Sequence, residues 1–151
     1  MRYFLIVLTM ITVGSSVYAQ SVEDSVKNVI NKMFTGMREA DTVMLKSCFA
    51  DSMIMQTISK NKEGKLIVRN ESPSAFISFI AKEAKGNADE RIIFETIKVD
   101  GPLAMAWTPY DFYYKGQFNH CGVNSFQLVR FNSEWKIQYL VDTRRRQGCK
   151  E

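Results

Sequence analysis

The sequence is poor in the residues that hold metals in proteins. It contains one histidine, His120, and three cysteines, and neither a CxxC nor an HExxH pattern occurs in its 151 residues. Zinc sites need several Cys, His or carboxylate ligands brought together, commonly at short spacing. The sequence therefore argues against a metal site, and we expect no cofactor.

The chain also lacks an apolar run of the roughly 20 residues that a membrane-spanning helix needs. Its most apolar segment, residues 3–13, follows the positive charge of Arg2 and precedes Val17-Tyr18-Ala19, which has the residue types of a signal peptidase site. Residues 1–19 are therefore predicted to be a cleavable signal peptide, and residues 20–151 a single domain. This predicts export to the periplasm or the medium; an uncleaved membrane anchor is the alternative.

The positive charge of the chain is concentrated rather than spread. Basic residues exceed acidic ones by four, and much of the excess lies in residues 60–69 and in Arg144-Arg145-Arg146. Neither segment has the basic residues interleaved with aromatics that are typical of a nucleic-acid-binding face. We interpret both as solvated charge, and we expect no nucleic-acid partner and no membrane partner after signal cleavage.

The three cysteines leave at least one thiol free or paired between chains. Cys48 lies in an apolar context and is interpreted as a buried core thiol. Cys121 and Cys149 lie near one end of the predicted C-terminal sheet, which makes them the better candidates for a disulfide, and an exported protein can keep one. The spacing alone does not decide whether they pair.

Hydrophobic periodicity changes along the chain from helical to strand-like. Three helix-start signals each precede apolar residues at helical spacing. They are Ser21, Asp41 or Thr42, and Ser72-Pro73. Beyond Gly86 the spacing has a period of two. This order predicts an α+β domain, with three helices packed on a mainly antiparallel sheet. The predicted strands are 53–58, 65–69, 91–99, 103–114, 118–131 and 135–143, with tight turns at 100–101, 115–116 and 132–133.

The turn at 115–116 predicts the first candidate site residues. If it has two residues, Asp111 faces His120 and Trp107 faces Asn124 on the side of the sheet that meets the helices. A carboxylate that accepts a hydrogen bond from an imidazole raises the basicity of the other ring nitrogen, so Asp111 and His120 are candidate catalytic acid/base residues. The alternative is that they satisfy each other near the end of the sheet. A one-residue error at Lys115 would place them on opposite faces.

The turn at 132–133 adds further candidates for ligand binding. With two residues in this turn, Phe126 faces Tyr139 on the same apolar side, next to Trp107 and Asn124. If the last strand continues in register, Arg145 shares this side and can meet an anionic ligand. The alternatives are ordinary sheet packing for the aromatic residues, a satisfied core amide for Asn124 and a frayed basic tail for Arg145.

The C-terminal half of the chain contains the segments WTPYDFY (107–113), GQFNHCGVNSF (116–126), WKI (135–137) and DTRR (142–145), followed by Cys149. These motifs resemble the lumazine-binding family, of SnoaL-like cone fold, and the order of elements resembles the nuclear-transport-factor-2-like superfamily that contains it. This resemblance implies a cone in which a strongly curved sheet wraps a long helix around a pocket. Enzymes of the superfamily, such as ketosteroid isomerase and scytalone dehydratase, work with Asp and His side chains in the cone, and Asp111 and His120 are counterparts in kind only.

Three functions are compatible with these features. The first is an exported binding domain for a small organic molecule, aromatic or heterocyclic, held inside the cone. The second is a small lyase, isomerase or hydrolase that uses Asp111 and His120. The third is a structural or assembly module that forms a homodimer through the open face of the sheet.

Overall fold

The computed structural model describes residues 21–149, so the predicted signal peptide lies outside the described residues. Helix α1 (Val22–Arg38) begins where the sequence predicts, because the Ser21 hydroxyl accepts a hydrogen bond from the backbone N–H of Asp24 at 3.0 Å. Its buried stripe includes Val26, Ile30 and Met33. Within residues 21–149 no helix is long and apolar enough to cross a membrane.

Two shorter helices follow the predicted caps. Helix α2 (Thr42–Ser47) is capped by Asp41, which accepts a hydrogen bond from the N–H of Met44 at 2.8 Å. Helix α3 (Pro73–Ile80) has Ser72 as its cap and proline in its first turn. It ends at Ile80, before Gly86, where the sequence predicted the stop.

The described part of the chain contains seven strands: β1 (Phe49–Lys60), β2 (Leu66–Glu71), β3 (Ala88–Ile92), β4 (Thr96–Asp100), β5 (Leu103–Tyr114), β6 (Gln117–Phe131) and β7 (Glu134–Arg145). They form one sheet in the order β2-β1-β7-β6-β5-β3, and β4 also pairs with β5. All described pairs are antiparallel except the parallel pair of β1 with β7. The fold is α+β, as predicted, with three helices on a curved sheet.

The prediction of one continuous strand over residues 91–99 is wrong. Strands β3 and β4 are separated by residues 93–95, and both pair with β5. Pro109 of β5 lies opposite this break, where its carbonyl accepts from the N–H of Ile93 at 3.0 Å. Because Pro109 has no N–H, it cannot donate a hydrogen bond back to Ile93, and the regular antiparallel hydrogen-bonding pattern between β3 and β5 is interrupted there.

The core lies between the helices and the concave face of the sheet. Phe34 of α1 meets Phe126 of β6 edge to face, with ring centroids 6.1 Å apart. Cys48 is a free buried thiol, and Cys121 forms a disulfide with Cys149, so both cysteine predictions are confirmed. The disulfide ties the C-terminal tail to the middle of the sheet.

Candidate ligand pocket

A β-bulge in β6 separates the predicted acid/base pair. The turn at 115–116 has two residues, as predicted, with Tyr114 opposite Gln117 and Tyr113 opposite Phe118. The next pair is Phe112 with His120, so Asn119 is an extra residue, and Asp111 then faces Cys121. Because one extra residue moves every later side chain to the other face, Asp111 and His120 lie on opposite faces of the sheet.

A second bulge changes the face assignment in β7. Leu128 faces Ile137 as predicted, but Gln127 then faces Tyr139, which leaves Gln138 as the extra residue. Tyr139 is therefore on the outer face, where its hydroxyl donates to Oε1 of Gln56 at 2.6 Å. The predicted neighbours Phe126 and Tyr139 are not brought together.

The remaining predicted site residues divide between the pocket, the core and the outer face. His120 and Asn124 line a cavity on the concave face, and Phe126 is fully buried in the core beneath. Trp107 faces Ser125 and is 40% exposed on the outer face. Arg145 is exposed beside the disulfide; it faces Cys121, and its Nε donates to the carbonyl oxygen of Gly148 at 3.4 Å.

The cavity has a volume of about 570 Å³ and lies between α1, α3 and the concave face of the sheet. Its side at α3 is open, because Ala75 and Phe79 line it and are themselves exposed. The apolar lining residues are Met33, Phe34, Met37, Met55, Ala75, Phe76, Phe79, Ile80, Ala88, Phe112 and Leu140. The other lining residues are Glu71, Glu90, Tyr114, Asn119, His120, Asn124, Asp142 and Arg144.

A row of buried polar side chains crosses four strands beneath this cavity. Thr108 faces Asn124, Asn124 faces Asp142, and Asp142 faces Thr57. The Thr57 hydroxyl donates to Oδ1 of Asp142 at 2.6 Å. The Thr108 hydroxyl is the one buried side-chain polar atom among residues 21–149 that has no hydrogen-bond partner. Such a row is expensive to bury unless its polar groups are hydrogen-bonded. Thr57 and Asp142 bond each other, and Asn124 bonds Glu90 outside the row.

Tyr110 of β5 adds a further hydrogen bond to the Asp142 carboxylate. Its hydroxyl lies 3.1 Å from Oδ2 of Asp142 and 2.9 Å from the carbonyl oxygen of Thr143. Oδ2 also accepts from Nε of Arg144 at 2.7 Å. Burial, together with the negative charges of Glu90 and Asp142, raises the pKa of Tyr110 far above its usual value, so the hydroxyl remains a hydrogen-bond donor.

Glu90 brings a carboxylate into the polar side of the cavity from β3. Its Oε1 accepts from Nδ2 of Asn124 at 2.8 Å. Burial raises the pKa of Glu90 to about 7, and the charge of Asp142 adds to this, while the hydrogen bond from Asn124 and the charge of Arg144 oppose it. The group therefore changes charge near neutral pH.

His120 packs between two aromatic rings. Its ring centroid is 5.6 Å from that of Tyr110 and 5.0 Å from that of Phe112, and its Nδ1 lies 2.9 Å from Oδ1 of Asn119. Burial lowers the pKa of His120 to about 4, assisted by the positive charge of Arg144. His120 is therefore neutral at pH 7, and its Nδ1 donates to the amide oxygen of Asn119.

Sequence reasoning missed three charged residues that line the polar side of the cavity, Glu90, Asp142 and Arg144. Glu90 precedes residue 91, where the sequence predicts a strand to start. Asp142 was assigned to the outer face of the sheet because the bulge at Gln138 was not predicted. The same error selected Arg145 instead of Arg144. For Glu90, the available signal was its position directly before Arg91, next to a segment with strand-like spacing. A bulge leaves no comparable local signal for Asp142 and Arg144.

This cluster offers hydrogen bonding and proton exchange within an apolar cavity. Among residues 21–149 no group of His, Cys, Asp and Glu side chains is arranged to hold a metal ion. An open cavity with a few convergent polar groups and a carboxyl of shifted pKa is typical of a site for small organic molecules.

Comparison with solved structures shows the nuclear-transport-factor-2-like fold that the resemblance implied. A protein of this fold and of unknown function from Shewanella baltica has a TM-score of 0.62 at 13% identity, over 82% of this chain and 93% of its own. One from Methylobacillus flagellatus has a TM-score of 0.60 at 18% identity, over 87% and 99%. A third from Nostoc punctiforme, described as cystatin-like, has a TM-score of 0.64 at 10% identity, over 84% and 95%. No family model and no curated protein matches the sequence.

Proposed function

We propose that this protein is an exported domain that binds a small organic molecule in the cavity between α1, α3 and the sheet. The observation that carries the proposal is the cavity itself, which has about 570 Å³ of space, a mainly apolar wall and polar groups on one side. Cavities of this size and make-up hold most small ligands and cofactors of proteins. Export is supported by the signal-peptide pattern and the disulfide.

The arrangement of the walls supports a ligand with an apolar body and a polar end. Met33 and Met37 of α1, with Phe76 of α3, supply adaptable and aromatic apolar surface. Glu90 and Asn124 supply the polar contacts that would fix its orientation. An aromatic or heterocyclic molecule has this combination.

A bulky residue in the open side of the cavity tests the proposal. Ala75 lines the cavity and is exposed, so Ala75→Trp places an indole in the cavity without disturbing the core. Ser78→Trp on the same helix is the control, because Ser78 is exposed and does not line the cavity. The probe is N-phenyl-1-naphthylamine, a neutral apolar dye whose fluorescence reports binding.

We expect one dye per wild-type chain, a loss of at least about tenfold in affinity for Ala75→Trp, and little change for Ser78→Trp. Equal dye binding by all three proteins would show that the cavity is not the site.

A thermal-shift panel of pterins, flavins, steroids, aromatic acids and amines then narrows the ligand class, since a ligand at 100 times its Kd adds about 2.7 kcal/mol of stability. Recovery of a mature chain that begins at Gln20 tests export.

The alternative of an enzyme that uses Asp111 and His120 has no support in the geometry, because the two side chains are on opposite faces of the sheet.

A homodimer stays a prediction that is compatible with ligand binding. Its support is the apolar outer face, where Ile54, Leu103 and Trp107 are exposed. Size-exclusion chromatography of wild type and Trp107→Glu tests it, since the charge should release monomers if this face is the interface.

A further inference from the structure

The charge inside the cavity is opposite to the charge of the whole chain. The chain carries a net charge of +4, yet the charged groups that line the cavity are the carboxylates of Glu71, Glu90 and Asp142 and the guanidinium of Arg144. His120 is neutral at pH 7 because its pKa is lowered to about 4 by burial and by Arg144. The net charge of the lining is therefore negative when all three carboxyls are ionised.

Two of the three carboxylates are already paired with a cation of the protein. Asp142 accepts from Nε of Arg144 at 2.7 Å and from the hydroxyls of Thr57 and Tyr110. Oε1 of Glu71 lies 3.3 Å from Nη2 of Arg69. Arg144 is engaged through its Nε by Asp142, which offsets part of the positive charge that an anionic ligand would meet.

Glu90 is the exception. Its Oε1 accepts one hydrogen bond, from the neutral amide of Asn124, and no Lys, Arg or His nitrogen among residues 21–149 lies within 4 Å of its carboxylate. A partly buried carboxylate without a cation is unfavourable, because an apolar wall solvates the charge poorly. A ligand cation placed at Glu90 would remove this cost.

Most of the groups around Glu90 are neutral or negative. Tyr110 of β5 is a neutral phenol, His120 and Asn124 of β6 are neutral, and Asp142 of β7 is negative. Arg144 of β7 is the one positive group that acts on Glu90, and it is paired. Helix α1 brings only the apolar residues Met33, Phe34 and Met37 to the cavity.

We propose that the cavity binds organic amines, with the apolar body between α1 and α3 and the protonated nitrogen paired with the carboxylate of Glu90. This inference rests on the proposed function and names its ligand class. A charge-assisted hydrogen bond in a water-poor cavity is stronger than a neutral one. The same carboxylate, together with Asp142, would repel a carboxylic acid of similar shape.

Three probes of one shape and different charge test this inference. They are 2-naphthylmethylamine, 2-naphthalenemethanol and 2-naphthoic acid, and each is measured by displacement of N-phenyl-1-naphthylamine at low salt and pH 8. We expect the amine to bind at least about tenfold more tightly than the alcohol, and the acid to bind most weakly. Glu90→Gln should remove the preference for the amine, so that this variant binds the amine and the alcohol with similar affinity.

Asp89→Asn is the matched control, because it removes the same charge one residue away. Asp89 neighbours Glu90 in β3, does not line the cavity, and pairs with Arg91 at 2.9 Å. It should keep the preference for the amine. A second measurement on the wild type needs no variant: amine affinity should fall about tenfold or more between pH 8 and pH 5.5, as Glu90 takes up a proton, while alcohol affinity stays level.

The outcomes separate the two proposals. If the alcohol and the amine displace the dye equally from the wild type, the cavity is a ligand site but the inference about amines is wrong. If Glu90→Gln keeps the preference, Glu90 is not the cation's partner and the inference is overturned. If no probe displaces the dye, or if Ala75→Trp binds the dye as tightly as the wild type does, the cavity proposal fails and the inference fails with it.

Discussion

The ring of Tyr110 lies across Gly122 of the neighbouring strand, in space that any larger residue at position 122 would occupy. A Cβ atom built on Gly122 would lie 2.8 Å from Cε1 of Tyr110 and would overlap the backbone carbonyl of Thr143. This close approach lets the Tyr110 hydroxyl pass over β6 to reach Asp142 and Thr143 of β7. The glycine thus connects three strands at the polar side of the cavity.

Gly122→Ala should therefore destabilise the fold and disrupt the polar cluster. We expect a loss of at least about 1–3 kcal/mol in the free energy of unfolding, because the backbone of β7 cannot yield as a flexible side chain would. Tyr110→Phe, which removes only the hydroxyl, should cost about 1–2 kcal/mol. Urea unfolding of the two variants checks this, and a Gly122→Ala protein as stable as wild type would contradict the close approach.

Most of the fold follows from local signals in the sequence. The Ser21 cap, the Ser72-Pro73 helix start and the tight turns at 115–116 and 132–133 are formed as predicted. Each depends on residues that are close in sequence, so a single chain carries enough information to place it. Cys149 was the candidate partner of Cys121, but whether the two pair was left open, since disulfide geometry cannot be read from the sequence.

The site was predicted less well because two bulges reverse the faces of long strands. Asn119 and Gln138 are ordinary polar residues in alternating segments, and nothing next to them in sequence marks them as unpaired. Beyond these bulges, the side chains of Asp111 and Tyr139 point outward, and those of Asp142 and Arg144 replace them at the cavity. Asn124 and His120 were assigned correctly because both follow Asn119 in β6 and share its alternation with the buried Phe126.

The absence of an Asp111–His120 contact can be measured directly. Asp111→Asn should leave the pKa of His120 unchanged, because the two side chains are on opposite faces. Arg144→Gln should raise the pKa of His120, since the charge of Arg144 helps to lower it. The His120 ring resonances in an NMR pH titration report both, and as the only histidine it needs no assignment. A fall in the His120 pKa on Asp111→Asn would restore the predicted pair.

Glu90 and His120 should give opposite pH dependences to the stability. The pKa of Glu90 is raised from 4.5 to about 7, so the unfolded chain loses this proton first and stability falls as the pH rises through that range. The pKa of His120 is lowered from 6.5 to about 4, so the unfolded chain gains a proton first and stability falls as the pH drops through that range. Between about pH 4.5 and 6.5 the two effects offset each other.

Single variants should separate these effects. Glu90→Gln should become more stable as the pH rises from 4 to 6.5, and His120→Gln should become less stable from pH 4.5 to 7. Each slope is at most about 1.4 kcal/mol per pH unit. Chemical unfolding at half-unit pH steps measures both. Parallel profiles for wild type and Glu90→Gln would mean that Glu90 has an ordinary pKa in the folded protein.

The Cys121–Cys149 disulfide should contribute strongly to stability. It closes a loop with a sequence separation of 28 residues that contains most of β6, all of β7 and the turn between them. The loss of chain entropy in the unfolded state corresponds to about 3–4 kcal/mol for a loop of this length. Cys121→Ser/Cys149→Ser should lose this amount in guanidinium unfolding.

Thiol titration provides the matching control for the disulfide. The native oxidised protein should show almost no reactive thiol, because Cys48 is buried and burial raises its pKa. Unfolding without a reductant should expose one thiol per chain, and unfolding with a reductant should expose three. Three reactive thiols without a reductant would mean that the tail is not tied to β6. Arg145, which faces Cys121, would then be free to leave the sheet, while Arg144 would still be held by Asp142.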